Sequence, residues 1–302
     1  MIDIVVTYVD NSIKSWQKEY FKYEKQENIN TDDEQLNPQI RFRDTGTFKY
    51  FFRSVDKNCP WIGKIFLVVK DKDHVPKWLN LNNPKLKVVF HEDFIPHELL
   101  PTFNSNVIEF FIYRISGLEN NYILCNDDTF FNSPVDEKFF FRSGKPVYDK
   151  VKTLPRRNNN LFDSTIINNQ DVIKAISGVD EWYIHRHHMT PHLKLLEYNL
   201  VENNLDLFID SFKDSKFRNE NNYTPWLFNE LCKALNLGVN VPGLYKNCNY
   251  VTLSSKLNLD KYKNSILLCI NDTAKNDNFK ISKNIMETYL SKKFIRKCQY
   301  EL

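Results

Sequence analysis

Apolar residues gather along the chain in short unbroken runs. Four of these, "IDIVVTYV", "KIFLVVK", "LKVVF" and "NYILC", have strand length and are rich in β-branched and aromatic residues, the pattern of strands buried on both faces. Between them the spacing turns helical, in "FKYFFRSVDKN" over 48–58 and in "SNVIEFFIYRISG" over 105–117. Strands that alternate with helices predict βαβ units and an α/β fold, with a mainly parallel central sheet and flanking helices. The polar insertion "YEKQENINTDDEQLNPQ" after the first strand is expected to be a mobile loop near a site. From about residue 150 the texture becomes "TLPRRNNNLFDSTIINNQDVIKAISG", followed by helical spacing near 192–205 and 224–236 and a last strand in "NSILLCIND" near 264–272. No internal repeat of about 20–50 residues is present.

The 302 residues are 42% hydrophobic, enough for one large core or two modest ones. A net charge of +3 with acids and bases almost balanced excludes a general basic field for nucleic acid, so any anion binding must be local. The six cysteines are scattered, without C-x-x-C or zinc-type spacing, and read as reduced and mostly buried. "MIDIVVTYVD" lacks the basic start and small-residue cleavage site of a signal peptide, and no window approaches the roughly 18 apolar residues of a membrane span. A cytoplasmic protein is expected. The closing "SKKFIRKCQYEL" reads as a solvated helix end, with contact to an anionic membrane surface as the other reading.

Three apolar runs end in acids: "IVVTYVD" at Asp10, "YILCNDD" at Asp127 and Asp128, and "ILLCIND" at Asp272. Each acid by itself also suits a turn or a helix cap. Three together point to the crevice beyond the carboxyl ends of parallel strands, where clustered carboxylates hold a divalent cation or share a proton. Neighbours on an extended strand face opposite ways, so Asp127 and Asp128 reach one ion only if the chain turns there. Asp128 is expected to face the site, with Asp127 bracing the loop or binding through water. "RFRDTGTFKYFFRSV" brings Arg41, Arg43, Lys49 and Arg53 together, with Asp44 before a turn and a helix start. Arginine forks and a helix amino terminus make a pyrophosphate cradle, whereas a helix with a salt-bridged face is the plain alternative. "HRHHMTPH" carries His185, His187, His188 and His192 without the companions of a zinc site. An imidazole base or a phosphate partner fits this segment better, and a solvated loop is the plain alternative. The "LPTFNSN" loop offers Thr102, Asn104, Ser105 and Asn106 to a sugar or a uracil, or as caps for the helix that begins there.

"IDIVVTYVD", "RFRDTGTFKYFFRSVDKNCPWIGKIFLVV", "LPTFNSNVIEFFIYRISGLENNYILCNDDTFF", "HMTPH" followed by "KFR", and "LLCIND" occur in the order of the four conserved regions of the Stealth family. The chain resembles a Stealth-type sugar-1-phosphate transferase across almost its whole length. That resemblance implies a single catalytic domain over 1–302 with a GT-A-like nucleotide-sugar fold. Residues 1–150 would form the nucleotide-sugar half, and 151–302 a helical insertion and closing strand with the catalytic His, Arg and Asp. It implies transfer of a hexose 1-phosphate, usually N-acetylated, from a UDP-sugar donor to a saccharide acceptor, with UMP released, in capsular or exopolysaccharide synthesis. A conventional glycosyltransferase releasing UDP is the alternative. Mg2+ or Mn2+ is the implied ion, with Asp128 and Asp272 as metal residues. The family's functional positions fall on Asp10, Asn126, Asp128, His188, Arg218 and Asp272. Where the family commonly has H-x-P-H, this chain has "HMTPH", so either His188 or His192 could take the histidine's place. Peripheral contact with the inner face of the plasma membrane or with capsule-assembly machinery would suit such a role, and nucleic acid is not an expected partner.

Overall fold

The computed structural model describes residues 1–34, 36–273 and 276–302, so that Gln35 of the polar insertion lies outside the described residues. The four apolar runs form β1 (Ile2–Thr7), β2 (Ile65–Val69), β3 (Leu86–Phe90) and β4 (Asn121–Asn126). All four are parallel, with β4 on one side of β1 and β2 then β3 on the other. Strand Thr190–Leu193 adds antiparallel to the outer edge of β4. Both faces of β1 are buried. Ile4 and Val6 pack with Phe48, Phe51, Phe52 and Val55 of one helix, while Val5 joins Phe66, Val68, Val107 and Phe110 on the other side. This two-sided burial is why the runs are continuous rather than alternating.

Asp3 fixes the starts of the parallel strands. Fully buried, it accepts Lys64 N at 2.7 Å and Glu119 N at 3.0 Å, tying the approaches to β2 and β4 to β1. Helices α1 (Lys14–Glu27) and α2 (Pro38–Arg41) lie in the connection that follows β1. The expectation of a loop over the whole polar insertion is corrected, because "YEKQE" closes α1, where Trp16 and Tyr20 bury one face against Phe103 and Phe217. Helix α2 begins at Asn37-Pro38, with Asn37 Oδ1 accepting Gln39 N at 2.9 Å and proline at the first helical position. Helix α3 (Phe48–Asn58) has the expected span.

Beyond β4 the chain turns over two residues into β5 (Thr129–Phe131), held by Thr129 Oγ1 donating to Asn126 O at 2.6 Å. Strand Leu267–Asn271 does not join the main parallel sheet. It runs antiparallel to β5 and parallel to Asn249–Thr252 in a second, three-stranded sheet. The "SKKFIRKCQYEL" tail is docked rather than solvated as a whole: Phe294, Cys298 and Tyr300 are buried, and Arg53 holds Glu301 through two hydrogen bonds of 2.6 and 2.7 Å. No helix among the described residues is long and apolar enough to cross a membrane.

His91, buried just after β3, is pushed by burial and by nearby His74 and Lys70 from its ordinary 6.5 down to about 3. The unfolded chain therefore binds the extra proton first, so this contribution to stability is complete above about pH 6.5 and is lost as pH falls towards 3. At pH 5 the loss from His91 should be about 2 kcal/mol. Melting temperatures at pH 7 and pH 5 check this: His91→Gln should narrow the gap between them, and an unchanged gap would refute the assignment.

Candidate active site

A cavity of about 700 Å³ opens at the carboxyl ends of the parallel strands. Thr7, Tyr8 and Val9 reach it from β1, Val68 and Lys70 from β2, His91 from β3, and Asn126, Asp127 and Asp128 from β4. β1 is where the strand order reverses, with β2 on one side and β4 on the other, so the connections leaving β1 and β4 diverge and a crevice follows.

The turn between β4 and β5 brings both Asp127 and Asp128 to the cleft. Burial pushes the Asp128 carboxyl up, but His187, Cys269 and Arg41 outweigh it and hold the group below its ordinary value. Asp127 goes the other way. Burial, with Asp128 and Asp44 close by, raises it well above the ordinary carboxylate range. The two neighbouring acids are thus shifted in opposite directions, although both line the cavity. Asp128 Oδ2 receives Asn271 Nδ2 at 3.2 Å and the Cys269 thiol at 3.4 Å, with His187 Nε2 at 3.8 Å.

Two arginines face these acids. Arg41, carried by α2, and Arg218 both line the cavity. Burial lowers both guanidinium pKa values, Arg218 to about 9, and Arg41 adds repulsion to Arg218. Glu109 of helix α4 (Ser105–Phe110) senses both cations and receives Asn126 Nδ2 at 2.8 Å. Asn104 explains where Arg218 comes from. It caps α4 through Asn106 N at 3.0 Å and donates Nδ2 to Phe217 O at 3.2 Å and Asn222 Oδ1 at 2.6 Å, pinning the Arg218 loop beside Ser105. Asn104 itself does not line the cleft, whereas Thr102, Ser105 and Asn106 do.

The histidines separate clearly. His188 lines the cleft, and burial with neighbouring His187 and Arg186 lowers its pKa to about 4, which leaves a neutral imidazole at pH 7. His192 is absent from the cleft. Its ring stacks on Tyr122, Nδ1 meets Glu197 Oε1 at 2.7 Å, and Nε2 meets Thr190 Oγ1 at 3.0 Å, so strand pairing with β4 has made it a core residue.

Other expected residues sit at the margin or hold the fold. Asp10 caps the turn after β1 by accepting Ser12 N at 2.8 Å, and Asp44 accepts Gly46 N at 3.0 Å; neither lines the cavity. Lys49 is also outside the lining, on α3 with its ammonium 5.1 Å from the Tyr50 ring. Arg43 does line the cavity, but its guanidinium stacks 3.7 Å from the Phe279 ring and pairs with Asp272. Asp272 Oδ1 receives Asn276 Nδ2 at 2.7 Å. Asp272 lines the cavity with both oxygens engaged, and the ligand atoms that gather around Asp128 are those of His187 and Cys269.

Asp128, His187 and Cys269 offer ligand atoms within 4.8 Å of one another. Burial raises the Cys269 thiol well above its ordinary value, and the thiol donates a hydrogen bond to Asp128. Asp128 Oδ1, by contrast, is buried with no hydrogen-bond partner. A carboxylate with an unpartnered oxygen beside two arginines fits a hard divalent cation that takes one or two carboxylates and fills its remaining positions with other oxygen ligands.

Residues 41–148 match the family model described as Stealth protein CR2, conserved region 2. Across 99% of its length the chain is 32% identical to the capsular polysaccharide phosphotransferase WcwK of Streptococcus pneumoniae, covering 98% of that protein. The chain belongs to the Stealth family. It is also 29% identical to the exopolysaccharide phosphotransferase cps2G of Lactiplantibacillus plantarum, over 96% of this chain and 94% of that one. Its fold is similar to the crystal structure of the galactosyltransferase LgtC, at 9% identity and a TM-score of 0.43, covering 96% of this chain and 95% of that one. This Stealth protein is a transferase. Sequence reasoning singled out Asp128, His188, Arg41 and Arg218 in its cleft but did not single out Glu109 or Cys269. Glu109 stands four residues after Ser105, hence on the same helical face, and that spacing was the available signal.

Arg41→Ala and Arg218→Ala should each weaken binding of inorganic pyrophosphate with Mg2+ by about ten- to hundredfold, the range of one charged hydrogen bond. Lys49→Ala should leave it unchanged. Titration calorimetry reads both, and equal losses at all three positions would refute the placement.

Proposed function

We propose that this Stealth protein transfers a hexose 1-phosphate, in the N-acetylhexosamine class, from a UDP-sugar to a saccharide hydroxyl in capsular or exopolysaccharide synthesis. The observation that carries the reading is the convergence on one cleft of Arg41, Arg218 and Asp128 with the neutral His188. Identity along the full length to proteins named capsular polysaccharide phosphotransferases supports it.

Arg41 and Arg218 bind the diphosphate and offset negative charge as it spreads over the transferring phosphoryl oxygens. His188 accepts the proton of the acceptor hydroxyl while that oxygen attacks the phosphorus carrying the sugar. A new P–O bond forms, the phosphoanhydride P–O bond breaks, and UMP leaves with the bonding electron pair. The bond between the anomeric carbon and its oxygen is untouched, so the anomeric configuration is kept. Asp128 would hold a divalent cation, which when bound would supply further charge neutralisation at the diphosphate. Asp127, held up by its neighbours, lies beside it as the second carboxyl of the turn. Asp272 restrains Arg43 at the cleft edge.

Incubation with a panel of UDP-sugars and saccharide acceptors tests the reading. Mass spectrometry should find UMP and a phosphodiester-linked product, and UDP as the only nucleotide product would overturn it. Asp128→Ala and His188→Ala should each lower kcat by about a hundredfold or more, whereas His192→Gln should act mainly on stability.

A further inference from the structure

A second, much smaller cavity of about 40 Å³ lies behind the cleft, lined by His185, His188, Asn229, Glu230, Lys233 and Tyr245 among others. His188 lines both spaces, so its ring forms part of the partition between them. Seven buried side-chain nitrogen or oxygen atoms have no hydrogen-bond partner among the described residues. Four of them belong to residues around this one small cavity: His185 Nδ1, His188 Nδ1, Asn229 Oδ1 and Glu230 Oε2. Buried polar atoms are costly to leave unpaired, so their concentration in one place calls for a shared partner.

The chemistry of the four atoms says what that partner is. Asn229 Nδ2 donates to Pro191 O at 2.7 Å, which orients the amide and makes its other end an acceptor. Glu230 Oε1 takes the Lys233 ammonium at 2.7 Å, leaving Oε2 as a second acceptor. His188 Nδ1 is buried, and its ring is tilted over Tyr245 at 6.1 Å between centroids. A water molecule accepts one bond from a ring N–H and donates two, to an amide oxygen and to a carboxylate, so its bonding capacity matches three of these atoms. A polar cavity of this size has room for it.

We infer that this cavity is a buried water site anchored by Asn229 and Glu230, and that Glu230 acts through the water as a positioning residue for His188. The inference rests on the reading of His188 as the base. The water holds the ring proton on Nδ1, which leaves the lone pair on Nε2. The second hydrogen bond of an imidazole decides its tautomer, and here that bond is routed through a water to a carboxylate that Lys233 keeps in place.

Selective 15N labelling of histidine and long-range nitrogen–proton correlation spectra read the tautomer directly, with His188→Gln assigning the resonance. At pH 7 the wild-type ring should be the Nδ1–H tautomer, Glu230→Gln should keep it, and Glu230→Ala should lose the preference. Asn229→Ala should produce a smaller change in the same direction. If Glu230→Ala does not fold, the pair Glu230→Leu with Lys233→Met removes both charges and is read in the same way. A wild-type Nε2–H ring, or an Nδ1–H ring that survives removal of Glu230, would overturn the inference. In the UMP assay Glu230→Ala should lower kcat by about tenfold or more with little change in KM for the donor. Full activity in His188→Ala would instead remove the assignment of the base while leaving the tautomer result standing, so the two failures are distinguishable.

Discussion

β1 is hydrogen-bonded on both edges to parallel strands, and every feature of the cleft is referenced to that constraint. With β2 on one side and β4 on the other, the segments leaving their carboxyl ends must part, and the crevice between them is where Tyr8, Asn126, Asp127 and Asp128 arrive. The buried Asp3 carboxylate, bonded to the backbone ahead of both β2 and β4, sets the register from the opposite end of the strand. A slip of one residue in β4 would exchange the side chains that its two buried faces present to the two core clusters and shift the acidic turn relative to the cleft.

The charges gathered there are held at mutual cost. Arg41 and Arg218 repel, Asp127 and Asp128 repel, and burial opposes all four charges. Contacts between the groups offset part of this: Arg41 lowers the Asp128 pKa, and Glu109 supports both arginines. A diphosphate carrying a divalent cation would satisfy both halves at once, with anionic oxygens for the arginines and a cation for the carboxylates. Near-neutral overall composition is compatible with this because the charge that matters is local and half-buried rather than spread over the surface.

Structural residues around the cleft are as specific as those inside it. Asn104 caps a helix and pins the loop that carries Arg218, Asp272 restrains Arg43, and Asn229 and Glu230 stand behind His188. Asn104 and Asp272 are polar side chains at a helix start and a strand end, the same sequence signal that a ligand-binding residue gives, whereas Asn229 and Glu230 lie within the helix Trp226–Ala234. Asn104 looks like a site residue in the sequence for that reason.

The sequence by itself determined the four parallel strands, α3 and the acidic strand end, because burial on both faces imposes continuous apolar runs and a helix imposes its own period. It also marked Asp128, Arg41, His188 and Arg218 as chemistry-bearing. Only the tertiary structure separated His188, which lines the cleft, from His192, because pairing of strand 190–193 with β4 buries His192 against Tyr122 and Glu197. Only the tertiary structure placed the last strand beside β5 instead of in the main sheet, and with it matched Asp272 to Arg43, 229 residues earlier in the chain. Pairings over that separation depend on how sheets stack and which loops meet, and local pattern carries no record of either.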